Sequence, residues 1–314
     1  MTQSTHNGAV AEATRDETPG EAAIEVTQLV KRFGKTPALQ NLSLRVPRGS
    51  VYALLGRNGA GKSTLIQLLL GLLEPTAGDV RVLGLDPIRD GVELRQRLGY
   101  IPERLPLYEW MTVAETLRFA GAQYRAWSAQ TEADLVQTFH LDRTKRVREL
   151  SRGQRALLAL VLAMAHDPEL VLLDECTSGM DAIARTEFDR SVIDSLQRAG
   201  RTVLFASHQI RELERLCDWV GVLHEGRLLL QMPVDALKES VKLLRLRLPE
   251  GVTELPLGPN VLEQRPSGRD WLATVRDFDP ASARNALPPD AQLLEVIDLS
   301  LEEIFVALLK GVEP

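Results

Sequence analysis

The chain has 314 residues, 44% of them hydrophobic and 25% charged, with a formal net charge of −6. That length allows one main core of about 200 residues with a smaller unit beside it, and the acidic balance offers no basic face for counterion-driven binding of nucleic acid. The two cysteines, Cys176 and Cys217, lie in no CxxC or Cys/His cluster, which argues against a disulfide framework or a zinc site and fits a reducing, cytoplasmic setting.

The longest apolar run, Ala156 to Ala165, falls well short of the roughly 20 residues that cross a bilayer. No charged-then-apolar leader opens the chain, so work at a membrane requires spans from another chain. Residues 1–23 are small, polar and acidic, which predicts a disordered tail. From Ile24 the pattern turns extended. Ile24 and Val26, then Leu42, Leu44 and Val46, alternate with polar neighbours as half-buried antiparallel strands do, and a turn at 47–50 leads into the buried strand Val51 to Leu55.

A glycine-rich loop follows, then a helix with Leu65, Leu68, Leu69 and Leu72 on one face, brought to a stop by Pro75. Residues 104–150 read as helices with polar joints, and a helical subdomain is expected over 104–165. Leu170 to Leu173 and Thr202 to Ala206 are short buried strands, each reached from a helix. That alternation predicts a parallel sheet covered on both faces. Residues 220–230 form a closing hairpin, so the main unit spans 24–232, a linker 233–242, and a small α+β extension 243–314. In the extension Leu244, Leu246 and Leu248 alternate with arginines, 271–275 and 293–297 read as strands, and Ser300 with Glu303 makes a capping box for a helix carrying Leu301, Ile304, Phe305 and Leu308.

Gly56, Arg57, Asn58, Gly59, Ala60, Gly61, Lys62 and Ser63, followed by Thr64, satisfy G-x-x-x-x-G-K-[ST] between a buried strand and an amphipathic helix. Glycines let backbone N–H groups close round phosphates, the helix start adds its positive end, Lys62 meets the β- and γ-phosphates of ATP, and Ser63 ligates Mg²⁺. A glycine-rich turn that happens to end in Lys-Ser is the bland alternative, and the strand–loop–helix context counts against it. Asp174 and Glu175 end a buried strand, where open α/β sheets place ligand-binding groups; Asp174 would hold Mg²⁺ through water and Glu175 polarise the attacking water. Alone, such a pair is often only a solvated exit into a loop.

Leu150-Ser151-Arg152-Gly153-Gln154 stands between these motifs, and Ser178-Gly179-Met180-Asp181 and His208 come after them. The ordered set resembles the nucleotide-binding domain of the ABC ATPase family over residues 24–232. The resemblance implies a P-loop NTPase, RecA-like parallel core with an N-terminal antiparallel β subdomain, a helical subdomain and a C-terminal extension. It also implies that ATP sits between two protomers, held by Lys62 of one and by Ser151, Arg152, Gly153 and Gln154 of the other, with Asp181 in the D-loop and His208 at the γ-phosphate. Phe33 matches the aromatic that stacks on adenine, although core packing is its alternative. Glu103 stands where many members have Gln and can still bind Mg²⁺ or water.

The first turn of the signature helix has its own explanation, since Ser151 and Gln154 form a capping box. Arg152 replaces a glycine of the commonest signature and Cys176 the usual proline. The basic Arg152, Pro102-Glu103 and the ending Asp298 to Phe305 are similar to the bacterial exporter branch that handles drugs, antibiotics, lipids or ions. The resemblance implies an ATP-hydrolysing subunit on the cytoplasmic face of the cell membrane, a homodimer or a heterodimer with a sister subunit, driving a separate permease docked at Leu105 to Arg118. Alternatives are a soluble family member acting on ribosomes or chromosomes, or a regulatory ATP-binding subunit. His6, His140, His166 and His224 match nothing in the pattern and are expected at the surface.

Overall fold

The computed structural model describes residues 21–177, 180, 188, 192, 200–207, 209–248, 260–280 and 291–311. Most of the expected tail, the D-loop residue Asp181 and His208 lie outside the described residues. β1 (Ala22–Phe33) and β2 (Thr36–Pro47) form a hairpin, β3 (Val51–Leu55) leaves it for the core, and β4 (Ala77–Val82) returns to pair with β1, giving an antiparallel sheet of order β2-β1-β4. Ala22 and Ala23, assigned to the tail above, already belong to β1, where Ala23 is buried.

α1 (Lys62–Leu69) follows β3. It stops before Leu72 because Gly71 turns left-handed at φ +67° against Pro87, where a Cβ would stand 2.1 Å from the Pro87 carbonyl oxygen. Leu72, expected on the apolar face, is 60% exposed as a result. α2 (Gly91–Gln96) leads to β5 (Leu98–Ile101), and then come the helices α3 (Val113–Gly121), α4 (Ala129–Thr138) and α5 (Arg152–Met164). Each of these three begins at a Ser or Thr whose hydroxyl accepts a backbone N–H, satisfying donors that a helix start leaves orphaned.

β6 (Leu170–Asp174), β7 (Thr202–Ser207), β8 (Trp219–His224) and β9 (Arg227–Pro233) complete a six-stranded sheet of order β5-β6-β7-β3-β8-β9, parallel except for β9. A short helix α6 (Ile210–Leu213) separates β7 from β8. β3, β6 and β7 are buried throughout, which explains their unbroken apolar sequences. Alternate residues serve different cores. Ala53, Leu55, Val171, Leu173, Val203 and Phe205 pack with α5. Tyr52, Leu54, Leu170, Leu172 and Leu204 pack with α1 and the antiparallel sheet.

The expected linker contains α7 (Val234–Ser240), anchored by buried Val234 and Leu237; Pro233 supplies the N-cap position and does not bar the helix that follows. Beyond it, β10 (Lys242–Arg247), β11 (Val261–Ser267), β12 (Asp270–Val275) and β13 (Gln292–Asp298) form an antiparallel sheet of order β11-β12-β10-β13, and α8 (Leu301–Lys310) ends the described chain. The arginines of β10 converge on one buried carboxylate: Arg245 Nε donates to Asp270 Oδ2 at 2.8 Å and Arg247 Nη2 to Oδ1 at 2.8 Å. His166 is buried, not at the surface, because its ring stacks on Tyr124 at 3.9 Å and its Nε2 lies 3.2 Å from the Leu98 carbonyl.

Gly221 on β8 leaves room for the buried Tyr52 ring, since a Cβ there would stand 2.2 Å from the phenol oxygen. We expect Gly221→Ala to lower the unfolding free energy by about 1–3 kcal/mol, the usual cost of overpacking, in chemical denaturation. Adding Tyr52→Phe, which removes the nearest atom, should restore part of the loss.

Candidate functional site

The loop between β3 and α1 owes its shape to glycines. Gly59 and Gly61 hold φ of +83° and +109°, a region that side chains disfavour. A Cβ on Gly61 would meet the Ala38 carbonyl oxygen at 2.9 Å, so the loop lies tight on β2, whereas nothing stands within 4 Å of the Cβ position of Gly59. The loop is thus packed on one side and open on the other.

α1 differs from α3, α4, α5 and α8 in having no side-chain cap: its N-cap is Gly61, and no acidic residue stands in its first turn. The N–H groups of that end and the positive end of the helix dipole therefore remain available to an anion. In front of them is a cavity of about 320 Å³, within the range of small-ligand sites. Asn58, Gly59, Gly61, Lys62, Ser63 and Thr64 line it from the loop, Ala38 from β2, and Glu103 and Glu175 from the opposite side.

Lys62 is only 5% exposed. Its ammonium donates to the Gly56 carbonyl at 2.6 Å and the Arg57 carbonyl at 3.3 Å, and pairs with Glu175 Oε1 at 3.2 Å. Ser63 Oγ donates to Asp174 Oδ1 at 3.2 Å. Burial raises the Asp174 carboxyl above its ordinary range; the Ser63 hydrogen bond and Lys62 oppose this, while Glu175 and Glu103 add to it. The half-buried Tyr100 phenol is pushed up to about 12 by burial and by the Asp174 charge. Glu175 sits at φ +48°, a left-handed conformation that costs a non-glycine residue about 1–2 kcal/mol. Its N–H donates to the Ala206 carbonyl at 2.9 Å, so pairing with β7 holds the strained turn.

The loop residues, Asp174, Glu175 and Glu103 come together as the sequence predicts, with Ala60 buried beneath the loop and Arg57 exposed at its rim. Ser151, Arg152, Gly153 and Gln154 do not line this cavity. They form the start of α5, where Ser151 and Gln154 make the predicted reciprocal cap and Ser151 and Arg152 are exposed. Phe33 is half exposed at the β1–β2 turn with the Lys31 ammonium 5.1 Å from its ring, so it is neither core nor part of the cavity wall. Ala38 escapes sequence reasoning, because an alanine in a strand carries no signal that a glycine loop will dock on it.

The cavity joins free N–H donors of a helix start and a lysine to a hydroxyl and carboxylates, an arrangement whose chemistry suits a phosphate-bearing ligand. Comparisons with known proteins give the family. A family profile described as ABC transporter matches residues 39–178. The probable multidrug ABC transporter ATP-binding protein YbhF of Escherichia coli (strain K12) is 38% identical over 230 residues, covering 72% of this chain but only 39% of that protein's length. The bacitracin transport ATP-binding protein BcrA of Bacillus licheniformis is 34% identical, covering 69% of this chain and 71% of its own, and the ABC transporter ATP-binding protein NatA of Bacillus subtilis (strain 168) is 35% identical with coverages of 69% and 92%. Among solved structures, an ATP-binding subunit of an ABC transporter superposes with TM-score 0.63 at 29% identity over 69% of this chain and 92% of that one. CbiO1 from Clostridium perfringens, part of the ABC transporter complex cbiONQ, gives 0.62 at 27% identity over 69% and 90%. The chain belongs to the family of ABC transporter ATP-binding proteins.

Proposed function

We propose that the chain binds and hydrolyses Mg·ATP as one half of a dimeric motor that drives a separate membrane permease, and that the transport is export. The observation that carries this reading is the convergence of Lys62, Ser63, Asp174 and Glu175 on one cavity at the start of an uncapped helix.

Lys62 and Glu175 pair with both side chains largely buried. Phosphate oxygens of ATP offer Lys62 a stronger set of anionic acceptors, and the exchange releases the Glu175 carboxylate to accept a hydrogen bond from water in line with the γ-phosphate. A positioned carboxylate of this kind acts as the general base. Ser63 and Asp174 fit Mg²⁺: a hydroxyl and a carboxylate at hydrogen-bond distance are hard oxygen donors, and this ion takes one or two protein ligands with phosphates and waters completing its shell. That mode is compatible with the absence, among the described residues, of a three-ligand cluster. The cation supplies charge neutralisation on the phosphates.

The signature segment serves the partner's nucleotide. Ser151 and Arg152 are exposed at the start of α5, outside their own chain's cavity, which is the placement a contact in trans requires. Arg152 adds a cation to a first turn without acids, favouring phosphate there.

No helix among the described residues is long and apolar enough to cross a membrane. Tyr108 and Trp110, at the centre of the segment expected to receive the permease, are 51% and 63% exposed, and the Tyr108 ring lies 5.9 Å from that of Trp110 and 5.8 Å from that of the half-exposed Phe119. Exposed clustered aromatics are what a docking helix would bury. Relatives named for multidrug and bacitracin transport support the export direction.

Glu175→Gln should lower steady-state hydrolysis by roughly 10²–10⁴, the span for loss of a positioned base, with ATP affinity retained. Unchanged turnover would remove Glu175 from the role of base. Lys62→Ala should weaken ATP and ADP alike in calorimetry, and wild-type affinities would contradict the phosphate assignment. In a Glu175→Gln background, cysteines placed at Asn58, exposed in the loop, and at Ser151 should crosslink between chains when ATP is present. Monomer alone under those conditions would refute the shared site.

A further inference from the structure

Glu175 faces two spaces. One is the nucleotide cavity; the other is a chamber of about 10 Å³ behind it, lined by Thr177, Ser207 and Gln209 as well as by Cys176 and Phe205. That is close to the room one water needs. Ser207 ends β7, and its Oγ accepts the Gln209 N–H at 3.0 Å, a local turn that fixes the chain at this point. Gln209 Oε1 is buried there and has no hydrogen-bond partner. An amide oxygen buried without water or partner is destabilising, and surface glutamines avoid that cost by turning outward. Here the side chain stays in.

We propose that this chamber holds one ordered water bound between Gln209 and the Glu175 carboxylate, and that Gln209 is a positioning residue for hydrolysis; the inference rests on the ATPase reading. A buried water is stable when it finds two to four polar partners. The amide oxygen of Gln209 and the carboxylate accept its two hydrogens, and the Thr177 and Ser207 side chains at the wall offer further partners. The arrangement answers a mechanical need. Once phosphate draws Lys62 away, Glu175 loses a partner 3.2 Å off, while its backbone sits in a strained conformation. A water donating to the carboxylate from behind restores one tether and leaves the other oxygen directed at the nucleophile.

Two readouts test this. Crystals of the full chain with Mg²⁺ and a non-hydrolysable ATP analogue should show a water at hydrogen-bond distance from both Gln209 and Glu175, and the same crystals of Gln209→Met should lack it. In solution Gln209→Met should lower kcat by about tenfold, the effect of a misplaced reacting group, with KM for ATP and the melting temperature unchanged. A dry chamber in the wild type overturns the proposal. So does wild-type kcat in Gln209→Met, or a matched change in KM that marks a general loss of structure. A wild-type chain without turnover would sink the ATPase reading instead, and the water is read from the density whatever the turnover.

Discussion

A buried ammonium group is the constraint around which this structure is organised. Removing such a charge from water costs several kcal/mol unless anions and carbonyls replace the lost hydration, and Lys62 has two loop carbonyls and the Glu175 carboxylate for the purpose. Those partners come from distant parts of the sequence. The carbonyls follow β3 and the carboxylate follows β6, so the charge is satisfied only when the parallel sheet has assembled with both strands ending at one edge.

Sheet order does this work. β7 lies between β3 and β6, and pairs Leu55 with Ser207 and Asp174 with Ala206. That register brings the strand ends level. The glycine loop, the carboxylates and the Ser207–Gln209 turn then meet without any long side chain having to reach. The left-handed turn at Glu175 is tolerated because its N–H is bonded to β7, so a local cost is offset by a tertiary contact.

Much of this was legible in the residues. Apolar strands buried on both faces, the glycine loop and three capping boxes are local signals, and each corresponds to an observed element: β3, β6 and β7, the turn into α1, and the starts of α5 and α8 for the two boxes assigned. The box at Thr112 and Glu115, which starts α3, was equally readable but unassigned. What stayed hidden depends on neighbours far along the chain. Leu72 obeys the helical period, yet Gly71 must turn beneath Pro87. His166 carries no mark of its stacking on Tyr124. Gln209 looks like an ordinary polar residue until Ser207 and the back of Glu175 enclose its amide. Phe33 had two readings, adenine stacking and core, and its exposure removes the second.

The C-terminal extension is tied to the same machinery through its helix start. Glu214, just beyond α6, accepts the Leu301 N–H of α8 at 3.2 Å and the Lys238 ammonium of α7 at 2.7 Å, while Arg211 pairs with Glu302. Leu301, Ile304, Phe305 and Leu308 enter the larger core cluster alongside Ile210 and Leu213. α8 therefore packs on the short helix that continues from β7 and the Gln209 turn. A displacement of that turn would have to carry α6 with it and disturb the cap of α8, so the extension adds weight to the position of the segment behind Glu175. The arginine pair around Asp270 sits at the far end of β10 from this seat and contributes to the sheet of the extension itself.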